Sequence, residues 1–285
     1  MKKFCIIGVA GFVAKKHLNC IKNLKGEVIA ACDIHDNVGF IDSYFPECKF
    51  FKDEKKFFTF VKLHKPDYLI VCSPSHLHFK HIKKGFISNV NVIVEKPPLL
   101  NFDQYRKIIL FEKKYRKKCF CIFQLRVNES LKFLKREIEK SNKINNVEIS
   151  YTTYRGDWYF QTWKNNKKKS GGLGINIGIH FFDILIWIFG KIYEFKIISK
   201  SQSRMTGEIQ LKKANVKWML SVEKVKRHKL SSYKYERHMI VNKKKYNFDK
   251  FNDLHKRNYE MIIYKNKFHL SEFESIIKLM KSLKK

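Results

Sequence analysis

A lysine at the end of an apolar run, in Val92-Ile93-Val94-Glu95-Lys96-Pro97-Pro98, has the setting for chemistry. The run stops at two opposite charges and a proline, so Lys96 stands where a buried strand would end and a rigid turn begin. A lysine partly shielded from water there has an adjustable pKa and suits general acid/base work. The same residues also read as a plain surface ion pair, Glu95 with Lys96, closing a strand. A second candidate lies in Asn176-Ile177-Gly178-Ile179-His180-Phe181-Phe182-Asp183. On a helix His180 and Asp183, three apart, share a face and can point together into a cleft.

Other groups suit ligand binding. Gly8-Val9-Ala10-Gly11-Phe12-Val13-Ala14 follows a short apolar strand and opens a helical segment, spaced as G-x-x-G-x-x-A. Small residues allow a tight turn whose N–H groups, with the helix N-terminus, can face a pyrophosphate. Asp33 ends the next apolar run about twenty residues on, where a carboxylate can accept both hydroxyls of an adenosine ribose. It points to NAD rather than NADP, although an acidic turn residue is the plainer reading. Ser73-Pro74-Ser75-His76-Leu77-His78 closes another run, and His76 and His78 either line a cofactor pocket or serve a turn. Arg155, Trp158, Tyr159 and Lys164 form a dense cationic and aromatic cluster. It suits a carboxylate or phosphate and a stacked ring, or else aromatic packing under a loop. Lys167 to Lys169, before Gly171-Gly172, reads as a flexible basic loop near a diphosphate. His64 and His269 read as surface residues.

The elements that must position these residues follow from periodicity. Strands are expected at Lys3 to Val9, Val28 to Ile34, Asp67 to Ser73, Asn91 to Val94 and Lys118 to Phe123. Helical stretches alternate with them, the glycine turn to about Asn23, Asp53 to Leu63, Phe79 to Ser88 and Phe102 to Arg116. Strand and helix alternating at this pitch mean a parallel sheet with right-handed crossovers. After Gln124-Leu125-Arg126 the pattern changes to a charged helix, Glu129 to Ser141, and longer alternating strands. These are Val147 to Tyr154, Ile192 to Lys200, Met205 to Leu211 and Val216 to Val222, which suit an open, largely antiparallel sheet with one covered face. An amphipathic helix is expected over Leu270 to Lys285. The fold class is α/β: a Rossmann-type domain over 1–122, then an α+β domain for substrate and oligomerisation over 123–285.

With 285 residues, 44% of them hydrophobic, the chain can build two domain cores. No apolar run approaches the roughly 20 residues of a membrane span, and the first residues do not read as a signal peptide. A cytoplasmic protein with no membrane partner is expected. Seven scattered cysteines, an odd count without metal-type spacing, read as buried thiols, with Cys119 and Cys121 as core filler and no metal site. The net charge of +33 invites a nucleic-acid reading. The lysines run end to end, outnumber the arginines and accompany no nucleic-acid motif, so the charge reads as solvated surface produced by A/T-rich codon drift. A basic site would still draw in an anionic substrate.

Taken together, GVAGFVAKKH, VEKP and NIGIHFFD, in this order, resemble the Gfo/Idh/MocA family of NAD(P)-dependent sugar and polyol dehydrogenases over nearly the whole chain. More narrowly, ACDIHDNVGFIDSYFPECKFF, QLRVN, YRGDWYFQTWK and NIGIHFFDILIWIFGK resemble its WlbA-type branch. Those enzymes oxidise the 3-hydroxyl of UDP-N-acetylglucosaminuronic acid on the route to bacterial surface polysaccharides such as the lipopolysaccharide O-antigen. The resemblance implies Lys96, His180 and Asp183 as catalytic residues, His180 taking the hydroxyl proton and Lys96 hydrogen-bonding the same oxygen, or the reverse. It implies NAD contacts from Gly8, Gly11, Phe12, Val13, Ala14, Asp33, Ser73, Pro74, His76, His78, Glu95, Lys96 and Arg126. Substrate contacts are Lys96, Arg155, Trp158, Tyr159, Lys164, Asn176 and His180. Also implied are a homotetramer formed through the open face of the second sheet and, as in some relatives, 2-oxoglutarate to reoxidise NADH in place. Two departures stand out: Ala10 takes a glycine position and Ser75 that of an asparagine. The alternatives are a family member acting on another sugar, polyol or nucleotide sugar, and a non-catalytic Rossmann binding protein.

Overall fold

The computed structural model describes residues 1–224, 235–248 and 253–284. The chain divides into two compact units, residues 1–122 with 255–274, and residues 123–254 with 275–285. The expected single break after residue 122 therefore misses a return of the chain: His255 to Glu274 belong with the first unit.

In the first unit a six-stranded sheet runs β3-β2-β1-β4-β5-β6, every pair parallel. The strands are β1 (Lys3–Ile7), β2 (Glu27–Cys32), β3 (Lys49–Phe51), β4 (Tyr68–Val71), β5 (Asn91–Val94) and β6 (Cys119–Cys121), a Rossmann-type sheet. Their near-continuous apolar runs follow from burial on both faces, since Leu69, Ile70, Val71, Val92, Ile93 and Val94 are all fully buried. Helices α1 (Ala14–Asn23), α2 (Glu54–His64), α3 (His78–Ile87) and α4 (Phe102–Tyr115) connect them. Asp53 caps α2 by accepting from Lys56 N, and Asn101 caps α4 by accepting from Gln104 N. Strand order reverses between β1 and β4, the switch point where such sheets bind ligands at their strand ends. The returning segment closes the far edge, Cys121 N donating to Phe268 O at 2.9 Å and Phe120 bridging His269.

The second unit holds α5 (Glu129–Lys140), the short turns α6 (Trp158–Gln161), α7 (Lys167–Ser170) and α8 (Leu173–Asn176), and α9 (Ile179–Phe189). Its strands are β7 (Asn145–Thr153), β8 (Ile192–Lys200), β9 (Arg204–Leu211), β10 (Ala214–Ser221), β11 (Tyr235–Val241) and β12 (Lys244–Asn247), ordered β12-β11-β7-β10-β9-β8. All pairs are antiparallel except β7 with β10. Alternation does the sorting: Met205, Ile209, Leu211, Val216, Trp218 and Leu220 are buried, while Glu208, Asn215 and Lys217 face out. Gly207 lies opposite Trp218, and a Cβ there would come 2.5 Å from the indole. The glycine makes room for a ring that stacks on Phe195 at 5.7 Å.

Strands β3, β11 and β12 and helix α10 (Leu254–Lys265) were not expected from the sequence pattern. The expected tail helix is a 3-10 turn, Leu270–Phe273, followed by α11 (Glu274–Lys284); Lys285 lies outside the described residues. Lys167 to Lys169 form a turn of helix capped by Asn166, not a loop. Among the described residues no single helix is long and apolar enough to cross a membrane. All seven cysteines are free thiols, and Cys119 and Cys121 are fully buried.

Candidate active site

In the first unit the strand-end turns converge by backbone contact. Gly8 has φ +86°, and a Cβ on it would lie 2.3 Å from Ser73 N, so only glycine permits this approach of the β1 and β4 ends. The turn continues through Gly11 N to Gly8 O at 3.2 Å and Ala14 N to Gly11 O at 3.0 Å. Helix α1 then starts with no side-chain cap and no acid in its first turn, so no carboxylate competes with an anion at its positive end. Asp33 is tied to this turn, its two oxygens accepting from Ala10 N at 2.9 Å and His35 N at 3.0 Å. Ala10, the departure from the glycine pattern, thus supplies the amide that aims the carboxylate. The ring of Phe12 stands 88% exposed at the turn's tip. A glycine cradle, a helix N-terminus and a half-buried acid on the next strand fit a dinucleotide.

Lys96 is half-buried at the end of β5, and its peptide bond to Pro97 is cis. Glu95 does not lie on the surface as its ion-pair partner; its carboxylate is buried. One oxygen meets His17 Nε2 at 3.0 Å and His255 Nε2 at 3.3 Å, while the other accepts from Lys96 N at 3.1 Å. Burial pushes the Glu95 pKa up, but the two imidazoles more than offset it and hold the carboxyl well below its ordinary range. Its side chain is thus engaged inward, on structural partners. His78 is engaged inward too: buried, it lies between Pro97 O at 2.8 Å (Nδ1) and Ser73 O at 2.7 Å (Nε2) and ties two turns together. Burial pushes its pKa down against the pull of both carbonyls, so the ring is neutral at pH 7 and donates to one carbonyl at a time. The Ser73 hydroxyl pairs with His81 Nδ1 at 2.8 Å. Pro74 and His76 are partly exposed beside it, and Ser75 is buried at the start of a 3-10 turn.

In the second unit His180 sits in the first turn of α9, half-buried, its ring edge-on to Phe123 at 6.2 Å. Asp183 lies one turn further along α9. It is 1% exposed and bound by a two-pronged fork, Arg126 Nε to Oδ2 at 2.9 Å and Nη2 to Oδ1 at 2.6 Å. This buried carboxylate holding a buried guanidinium fixes α9, one turn from His180. Arg155 and Lys164 are half-buried. Burial, then the Arg155 charge, lowers the Lys164 pKa, and its ammonium lies 4.9 Å over the Trp158 ring. Asn176 Nδ2 donates to Lys164 O at 3.0 Å, and so joins this group. Tyr159 is fully buried in the core beneath this group, its hydroxyl pushed up to about 12 mainly by desolvation. Two half-buried cations beside an exposed indole have the chemistry to meet an anion carrying a ring.

Residues 2–123 match the model described as "Oxidoreductase family, NAD-binding Rossmann fold", and residues 135–219 its "C-terminal alpha/beta domain". A WlbA (WbpB) dehydrogenase from Thermus thermophilus, crystallised with NAD and alpha-ketoglutarate, superposes with TM-score 0.94 at 31% identity, over 100% of this chain and 95% of that one. The same enzyme with NAD and UDP-GlcNAcA gives 0.94 at 30%, with the same coverage. D-glucoside 3-dehydrogenase of Escherichia coli is 26% identical over 198 residues, 66% of this chain and 54% of that protein. A putative oxidoreductase YteT of Bacillus subtilis is 28% identical over 142 residues, 48% of this chain and 33% of that protein. The match thus spans about half or less of these two relatives. The chain belongs to the Gfo/Idh/MocA family of oxidoreductases, and its first unit is the NAD-binding Rossmann fold.

Proposed function

We propose that this chain oxidises the 3-hydroxyl of UDP-N-acetylglucosaminuronic acid to the 3-keto sugar with NAD, in the making of a bacterial surface polysaccharide such as the lipopolysaccharide O-antigen. The observation that carries the substrate class is the half-buried cation pair Arg155 and Lys164 with Trp158 under the Lys164 ammonium. A carboxylate or diphosphate satisfies both cations, and the indole suits a base or sugar ring. The structural likeness to an enzyme crystallised with NAD and UDP-GlcNAcA supports the same choice.

Bound NAD would supply the hydride acceptor. The cradle around Gly8, Gly11 and Ala14 holds the pyrophosphate on the α1 N-terminus, and Asp33 accepts the ribose hydroxyls. His180 takes the proton of the sugar hydroxyl, and the Lys96 ammonium stabilises the charge that develops on that oxygen. Arg126 and Asp183 keep His180 in place. A nucleotide-sugar substrate puts the reaction in the cytoplasm, and 2-oxoglutarate returns the cofactor to its oxidised form. Exposed Tyr193 and Ile198 on β8 favour assembly through the second sheet, as a homotetramer.

A second reading, oxidation of a neutral glucoside, draws on the likeness to the E. coli 3-dehydrogenase. Absorbance at 340 nm on mixing the protein with NAD and each sugar, with and without 2-oxoglutarate, separates the two. We expect NADH only with the UDP-linked acid, and a KM for it about tenfold or more higher in Arg155→Met, one lost charged contact. Reduction of NAD by neutral glucosides alone would sink the first reading. Lys96→Met is expected to lower kcat by about 100-fold or more, the scale of a lost proton-handling group, with NADH affinity retained.

A further inference from the structure

The turn that carries Lys96 is anchored by groups outside the sheet. His17 is fully buried one turn into α1, Glu95 ends β5, and His255 and Tyr259 lie four apart on α10, in the segment that returns to the first unit. Tyr259 OH meets His17 Nδ1 at 2.7 Å, His17 Nε2 meets Glu95 Oε1 at 3.0 Å, and His255 Nε2 meets the same oxygen at 3.3 Å. The rings of His17 and His255 pack edge to face at 5.3 Å. With Oε1 fixed from two directions, Oε2 is left facing the Lys96 amide, whose N–H it accepts at 3.1 Å. The tautomers are consistent: each imidazole donates from Nε2 to the carboxylate, and the tyrosine hydroxyl donates to His17 Nδ1.

We propose that His17 and His255 are positioning residues for Lys96, acting through the Glu95 carboxylate, with Tyr259 orienting His17. Rotation about the Glu95 side chain would release the Lys96 amide and let the strand-end turn shift. Two imidazoles on one oxygen remove that freedom. The ammonium then starts each turnover close to the geometry it needs, and small misplacements of a reacting group are costly. The inference rests on the reading of Lys96 as a reacting lysine, and α10 becomes part of the site although it carries no group that touches substrate.

The test uses the full chain and two variants at one position. His255→Leu removes the donor, whereas His255→Gln places an amide N–H near the former Nε2. Competitive labelling with acetic anhydride, read by mass spectrometry, reports the reactivity of Lys96 relative to the other lysines and needs no substrate. We expect a change of threefold or more in His255→Leu and a return toward wild type in His255→Gln. With NAD and UDP-N-acetylglucosaminuronate, kcat should fall at least tenfold in His255→Leu with KM for NAD within threefold, and recover in His255→Gln. Should His255→Leu fail to fold, Tyr259→Phe provides the milder cut, with a smaller change of the same sign. Unchanged Lys96 reactivity and kcat in a folded His255→Leu protein overturn the proposal. So does one equivalent of tightly bound zinc in the purified protein, since two imidazoles and a carboxylate within 4.8 Å of one another could hold a metal instead. If Lys96→Met keeps full turnover while labelling still responds to His255→Leu, the reading of Lys96 fails and the clamp stands.

Discussion

Two buried carboxylates each fix the neighbourhood of a proposed reacting group, and they do it differently. Asp183 meets one guanidinium in a two-pronged fork, with both prongs on the same partner. Glu95 divides itself, one oxygen toward two imidazoles and one toward a backbone amide. The fork is a balanced pair of full charges that locks the early part of α9 to the Gln124–Val127 turn. The divided carboxylate is held by two imidazoles and an amide, so its grip depends on the geometry of three separate hydrogen bonds. Two prongs on one partner and two oxygens on different partners are distinct devices, and the chain uses one in each unit.

The largest effect is expected from breaking the fork on one side. Arg126→Met takes the guanidinium away from a buried carboxylate and should cost about 3–5 kcal/mol in urea unfolding, with much of it regained in Arg126→Met/Asp183→Leu. A double variant no more stable than the single would show that the fork is not a self-contained pair. Next comes Glu95→Gln, which keeps a polar group of the same shape and should cost about 1–3 kcal/mol; a loss equal to that of Arg126→Met would erase the contrast between the two anchors.

Acid provides a finer probe. Against the upward push of burial, the two imidazoles hold the folded pKa of Glu95 well below the ordinary 4.5 of a glutamate. Its contribution is therefore complete above about pH 4.5 and is lost as pH falls through the folded value. The Tm of Glu95→Gln should fall less steeply than that of wild type below pH 4.5. The smallest effect is at the surface, where burial pushes Glu54 up but Lys80 and Lys84, each at 2.6 Å, pull its pKa to about 2. Glu54→Gln should cost about 1 kcal/mol above pH 4.5, a difference that closes between pH 4.5 and 2. Equal acid slopes in wild type and Glu54→Gln would show that these ion pairs are screened out.

Much of this was legible in the sequence, for a physical reason. The strands of the first sheet are buried on both faces, so Tyr68–Val71 and Asn91–Val94 announce themselves as apolar runs, and the Gly8 turn is marked by a backbone approach only glycine allows. Helix α10 was missed because residues on its inward face are polar: His255 and Asn258 are buried, which blurs the 3.6-residue apolar period. Strands β11 and β12 carry adjacent charged residues, Glu236-Arg237 and Lys244-Lys245, near an edge and resemble solvated loop. Among site residues, Lys96 is half-buried at the end of β5 and His180 is half-buried in the first turn of α9. The Arg126–Asp183 fork had no local signal, because its partners are 57 residues apart and a carboxylate's surroundings are set by what it meets. His17 and Tyr259 have no local signal beyond lying on helix faces, since their importance comes from a contact across 242 residues.

The return of the chain to its first unit also bears on the order in which the protein is made. His255, Tyr259, Phe268 and His269 complete hydrogen bonds and a sheet edge begun by residues before Ile122. At ribosomal speeds of about 5–20 residues per second, the first unit waits on the order of 10 seconds for them. During that interval Glu95 lacks His255, and the β6 edge has no cover from Phe268 and His269. An unfinished nucleotide-binding sheet with an open edge is a natural client for a chaperone, and a truncation that stops at the family's Rossmann boundary would freeze the protein in that state.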